Sequence, residues 1–80
     1  MAKIVDVSKI LEINNILKEK GIAYSLHSVG ACGAEFVELR QNGEAHDVQE
    51  LYDIINSYLR AYFMQVQPVK PGALLLKVVS

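Results

Sequence analysis

The stretch DVSKILEINNILKEKG, residues 6–21, decides the fold. Val7, Ile10, Ile13 and Leu17 recur at three- and four-residue intervals, the spacing that gathers side chains on one face of an α-helix. Asp6 supplies an N-terminal cap, with Ser8 as the alternative, and Gly21 a C-terminal stop. A second stretch, DVQELYDIINSYLRA at residues 47–61, repeats the pattern with Val48, Leu51, Ile54, Ile55 and Tyr58. Asp47 and Glu50 stand at the spacing of a capping box, with Asp in place of the usual Ser or Thr. The two stretches align Asp6-Val7 on Asp47-Val48, Ile10 on Leu51, Ile13 on Ile54 and Asn15 on Asn56.

Working outward, each helix is followed by two strand segments. Residues 22–29 alternate Ile22, Tyr24 and Leu26 inward, Gly30-Ala31-Cys32-Gly33 turns the chain, and residues 35–40 return it. The second half runs out along residues 62–69, turns at Lys70-Pro71-Gly72 and returns along 74–79. Asn42-Gly43 marks a turn between the halves. The expected fold is therefore α+β, ordered αββ-αββ. It has two layers, with a four-stranded, mainly antiparallel sheet carrying both helices on one face. A single domain spans residues 1–80, with internal repeats at 6–40 and 47–79.

Turn lengths give expected registers. A four-residue turn at 30–33 pairs Leu26 with Val37 and Tyr24 with Leu39. A three-residue turn at 70–72 pairs Val66 with Leu76 and Met64 with Val78. These residues face the helices. The other face then carries His27, Val29, Phe36, Arg40, Phe63, Gln65, Gln67, Val69, Leu75, Lys77 and Val79. Its apolar members, Val29, Phe36, Phe63, Val69, Leu75 and Val79, form the candidate interface. A contiguous apolar patch is more often a contact surface than ordinary surface.

Composition narrows the function. Half the 80 residues are hydrophobic and about a fifth are charged, which fits a packed domain. Net charge is −1 and the basic residues are scattered, so nucleic acid, which binds clustered Lys and Arg, is not an expected partner. Cys32 is the only cysteine, so no intramolecular disulfide forms and a reducing, cytoplasmic setting is expected. No apolar run has the length of a membrane span.

Cys32 lies in a glycine-rich turn five residues from His27, and the pair is the candidate reactive or ligand-contacting site. A reactive thiolate needs a neighbouring cation, base or helix N-terminus. Strand direction instead puts His27 on the outer sheet face, and a strand rather than a helix follows Cys32. His27, His46 and Cys32 include no close ligand pair of the kind structural zinc sites use, so no metal or cofactor is expected. Glu35 and Glu38 fall on opposite sheet faces and do not form an acid–base pair. Gly30 and Gly33 join two strands, unlike a phosphate loop leading into a helix.

Several short motifs resemble a family of small bacterial proteins called RDAC, after an Arg-Asp-Ala-Cys motif. They are Lys18-Glu19-Lys20-Gly21 ending the first helix, His27 within a strand, the Ala31-Cys32-Gly33 turn, and Glu50-Leu51-Tyr52 in the second helix. Val29-Gly30 stands where the family has Arg-Asp, so any ionic role of that pair is absent. The resemblance implies a layout and no activity. The leading expectation is a non-enzymatic protein-interaction module that forms a weak homodimer or binds a protein partner through the outer sheet face. The alternative is a small-molecule-binding or thiol-chemistry protein centred on Cys32 and His27.

Overall fold

A computed structural model of the chain describes residues 5–29 and 36–79. In order, the elements are α1 (Val7–Glu19), β1 (Tyr24–Val29), β2 (Phe36–Gln41), α2 (Val48–Leu59), a 3-10 turn (Arg60–Tyr62), β3 (Gln65–Pro68) and β4 (Leu75–Val79). The strands form one antiparallel sheet in the order β1-β2-β4-β3. Helix α1 packs on β1 and α2 on β3. The inward residues Tyr24, Leu26, Val37, Leu39, Val66, Leu76 and Val78 join Ile10, Ile13, Leu17, Leu51, Tyr52, Ile55 and Leu59 in one core. This is the expected α+β, αββ-αββ architecture.

Both helices begin at the expected caps. Asp6 Oδ1 accepts from the Lys9 backbone N–H at 3.0 Å, a bond that holds the Asp6 carboxyl below its ordinary pKa. Val7, expected in the core, is 71 % exposed. Val5, just before the cap, is buried in its place, as is Ile10 at the fourth helical position, the pair of sites a hydrophobic staple uses. Asp47 caps α2 through the Gln49 N–H at 3.2 Å. Glu50 does not complete the capping box; its carboxylate lies 2.7 Å from His46 Nε2.

Both hairpins differ from their expected registers by two residues. Leu26 stands opposite Leu39 and Ser28 opposite Val37, while Val66 stands opposite Val78 and Pro68 opposite Leu76. A two-residue shift leaves every side chain on the face it was assigned, whereas a one-residue slip would invert them all. In the second hairpin the cause is visible. Ala73 N–H closes a turn on the Lys70 carbonyl around Pro71 and Gly72, the latter at φ 79°. Leu74 is then drawn toward β2, its carbonyl accepting from Leu39 N–H at 2.8 Å, so β4 starts one residue later. The turn at 30–33, with Cys32, lies outside the described residues.

The third strand is shorter than expected because the chain after α2 closes into a Schellman motif. Phe63 N–H bonds to the Arg60 carbonyl and Met64 N–H to the Leu59 carbonyl. The same pair of bonds ends α1, from Gly21 N–H to Lys18 and from Ile22 N–H to Leu17. The pivot residue is left-handed in both: Gly21 at φ 73° and Phe63 at φ 59°. Only the first pivot is glycine. A left-handed conformation costs a non-glycine residue about 1–2 kcal/mol, and glycine's extra freedom in the unfolded chain offsets about 0.4–1 kcal/mol of that. Phe63→Gly is therefore expected to raise stability by up to about 1 kcal/mol, seen as a higher urea midpoint. A lower midpoint would mean that the phenyl ring packs usefully in the monomer.

Each helix also locks the edge strand beneath it. Asn14 Nδ2 donates to the Leu26 carbonyl at 3.1 Å, and its Oδ1 accepts from Leu26 N–H at 2.6 Å. Asn56 does the same to Val66, at 3.3 and 2.7 Å. The structural counterpart of Asn56 is thus Asn14, not the Asn15 of the sequence alignment. At Leu26 and Val66 these amides occupy backbone groups that an unpaired strand edge would otherwise offer to another chain.

Candidate functional site

The outer face of the sheet carries no helix, because α1 and α2 both pack on the other side. Register arranges its side chains in rows. His27, Glu38 and Leu75 stand side by side across β1, β2 and β4. Val29, Phe36, Lys77 and Gln67 form the next row, and Val79 with Gln65 the one after. Val29, Phe36, Leu75 and Val79 are half-buried, while Lys77, Gln65 and Gln67 are exposed. Arg40 Nε donates to Glu38 Oε1 at 3.0 Å. Lys77, on a central strand between Phe36 and Gln67, makes no ion pair among the described residues.

Two residues of the expected interface lie elsewhere. Phe63 is the left-handed residue after α2, outside the sheet, and is 84 % exposed. Val69 follows the end of β3, 48 % exposed, although its N–H still reaches the Leu75 carbonyl at 3.1 Å. Val29, Phe36, Leu75 and Val79 share the outer face as expected.

His27 is engaged locally. Its Nε2 lies 2.7 Å from Ser25 Oγ, which itself accepts from Asn42 Nδ2 at 2.9 Å. A serine hydroxyl that accepts from the amide can donate its one proton to the imidazole. Cys32 lies outside the described residues. Among those residues, no three His, Cys, Asp or Glu side chains gather where they could hold a metal. No helix among them is long and apolar enough to cross a membrane.

The helical layer contributes two further features that sequence periodicity did not reveal. A groove of about 380 Å³ runs between α1 and α2, floored by Ile16 and Ile54 and edged by Lys20, Glu50 and Asp53. At its side the Tyr58 hydroxyl donates to the Glu12 carboxylate, which pushes the phenol well above its ordinary pKa. A smaller groove of about 220 Å³ adjoins Phe63 at the end of α2, lined also by Asn56, Arg60, Met64 and Gln65. Two tyrosine hydroxyls bond to the main chain of other segments. Tyr24 accepts from His46 N–H at 3.3 Å, and Tyr52 donates to the Ala73 carbonyl at 2.5 Å. Desolvation raises the Tyr52 phenol above its ordinary pKa. No family model matches the chain, and no match was found among curated proteins or solved structures.

Proposed function

We propose that the chain is a non-enzymatic protein-interaction module that engages its partner through the outer face of the sheet. The observation that carries this reading is Lys77. It stands exposed on a central strand, without a carboxylate partner among the described residues, with Phe36 beside it and Leu75 and Val79 along its own strand. Such a face suits a protein surface that brings apolar side chains around a carboxylate. Covering an unpaired ammonium costs far more than covering one that gains an ion pair. A second copy is the less favoured occupant, because the carboxylate it would offer from the same face, Glu38, is already bonded by Arg40. The αββ halves, with matching Schellman turns and Asn locks, are read as two copies of one unit. The likeness to RDAC-type proteins is one of layout and adds no activity.

The test is affinity capture from a bacterial extract with the wild type and with Lys77→Glu and Phe36→Ser, after each variant is shown to melt cooperatively. A protein retained by the wild type and lost from both variants is the expected result. Identical retention by all three chains would remove this face from the function.

A further inference from the structure

We propose that the groove between α1 and α2 binds a free α-amino acid with a large apolar side chain. The ligand's ammonium pairs with Asp53, its carboxylate pairs with Lys20, and its side chain lies along Ile16 and Ile54. The site is on the helical layer and does not depend on the role of the sheet face.

Chain direction sets the two walls of the groove. Every neighbouring pair in the order β1-β2-β4-β3 is antiparallel, so β1 and β3 run in opposite directions. The helices that precede them, α1 and α2, do the same. Glu12 in the first half of α1 therefore meets Tyr58 near the end of α2, and Lys20 at the end of α1 shares the groove with Glu50 and Asp53 of α2. One end of the groove carries opposite charges on its two walls, the floor is apolar at Ile16 and Ile54, and Tyr58 stands toward the other end. Two of these charges are free. Glu50 is bonded by His46 and Glu12 by Tyr58, whereas Lys20 and Asp53 make no ion pair among the described residues. A ligand with a single charge pairs one of them and leaves the other without a partner. An α-amino acid carries an ammonium, a carboxylate and a side chain on one carbon, which matches two opposed charges beside an apolar strip. Ile16 and Ile54 are half-buried in the free chain, and an apolar side chain laid over them removes more of their surface from water. The groove volume of about 380 Å³ lies within the range of small-molecule pockets, about 300–1,000 Å³, and has room for a side chain the size of leucine or phenylalanine.

Titration of the full chain with L-phenylalanine at millimolar concentrations, followed by backbone amide shifts, tests the proposal. Saturable shifts centred on Ile16, Lys20, Asp53 and Ile54 are expected. L-alanine, which keeps both charges and lacks the ring, should bind about tenfold more weakly. N-acetyl-L-phenylalanine lacks the ammonium and L-phenylalaninamide lacks the carboxylate. Each should lose about fivefold, the scale of an ion pair at a solvent-facing rim. The variants assign each loss to its wall. Asp53→Asn should weaken L-phenylalanine about fivefold and leave N-acetyl-L-phenylalanine, which has no ammonium to lose, unchanged. Lys20→Met should do the same for L-phenylalanine and leave L-phenylalaninamide unchanged. Phe36→Ser and Lys77→Glu on the sheet face should bind L-phenylalanine as the wild type does. An absence of saturable shifts with L-phenylalanine overturns the proposal, as do shifts confined to residues outside the groove. Equal affinity for L-phenylalanine and its two singly charged analogues overturns it too, since the rim charges then play no part. The analogues act on the wild type, so this outcome is read without any variant.

Discussion

Replacing Leu51 by alanine is expected to lower the unfolding free energy by about 2–5 kcal/mol. Leu51 is fully buried in α2, within the single cluster that also holds Leu59 of the same helix and Leu76 of β4. Truncation there removes the transfer free energy of three carbon atoms and leaves a cavity that helix and sheet can only partly close. A domain of this size has little stability in reserve, because small chains bury a lower fraction of their surface and typical totals are only about 5–15 kcal/mol. The variant should therefore be partly unfolded at modest urea concentrations. The measurement is a urea titration followed by circular dichroism. A loss below about 0.5 kcal/mol, the scale of surface substitutions, would place Leu51 outside the core.

The edge locks give the second large effect. Asn14→Ala and Asn56→Ala each remove two hydrogen bonds to one strand residue. At about 1 kcal/mol net per bond, each costs about 2 kcal/mol. Together they cost about 4 kcal/mol if the two sites act independently. Hydrogen exchange locates the effect. In the wild type the amides of Leu26 and Val66 should be protected although both lie on edge strands, because the Asn oxygens hold them at 2.6 and 2.7 Å. In Asn14→Ala, Leu26 should exchange faster while Val66 keeps its protection, and the reverse should hold for Asn56→Ala. The double variant should also aggregate on concentration, since both edges are then open to pairing with another chain. Unchanged exchange at Leu26 in Asn14→Ala would mean that the lock does not form in solution.

The features that were legible in the sequence are those in which a local signal sets a local structure. Asp6 and Asp47 cap helices where side-chain oxygen meets orphan N–H, and the apolar spacing from Ile10 to Leu17 and from Leu51 to Leu59 needs no tertiary information. Inward and outward assignment along the strands was equally legible because it depends only on parity. Register was not. A hairpin shifted by two residues shows the same alternation, and only a long-range bond, such as that from Leu39 to Leu74, distinguishes the two. Periodicity selects Val7, three residues before Ile10, but the Asp6 cap lies between the two valines and it is Val5, outside the helix, that turns inward. The candidate interface was half legible for the same reasons. Phe36 and Leu75 follow from parity, but Phe63 was assigned by parity to a strand that begins two residues later. A signal for its real place existed. The chain after α2 must turn as it does at Gly21, and Phe63 stands one residue before the first buried side chain of the next segment, Met64, as Gly21 stands before Ile22.

The strand order has a consequence for how the molecule fails. The outermost strands are each held at one residue, Leu26 or Val66, by a side chain of their own helix, whereas β2 and β4, where the halves meet, are closed only by each other. Separating the halves therefore uncovers two bare strand edges of complementary register on one molecule. The nearest match for either is the same seam on another opened molecule. Under mild destabilisation the favoured misassembly is accordingly an exchange of whole αββ halves between chains, a domain-swapped dimer that keeps every native contact and both outer locks.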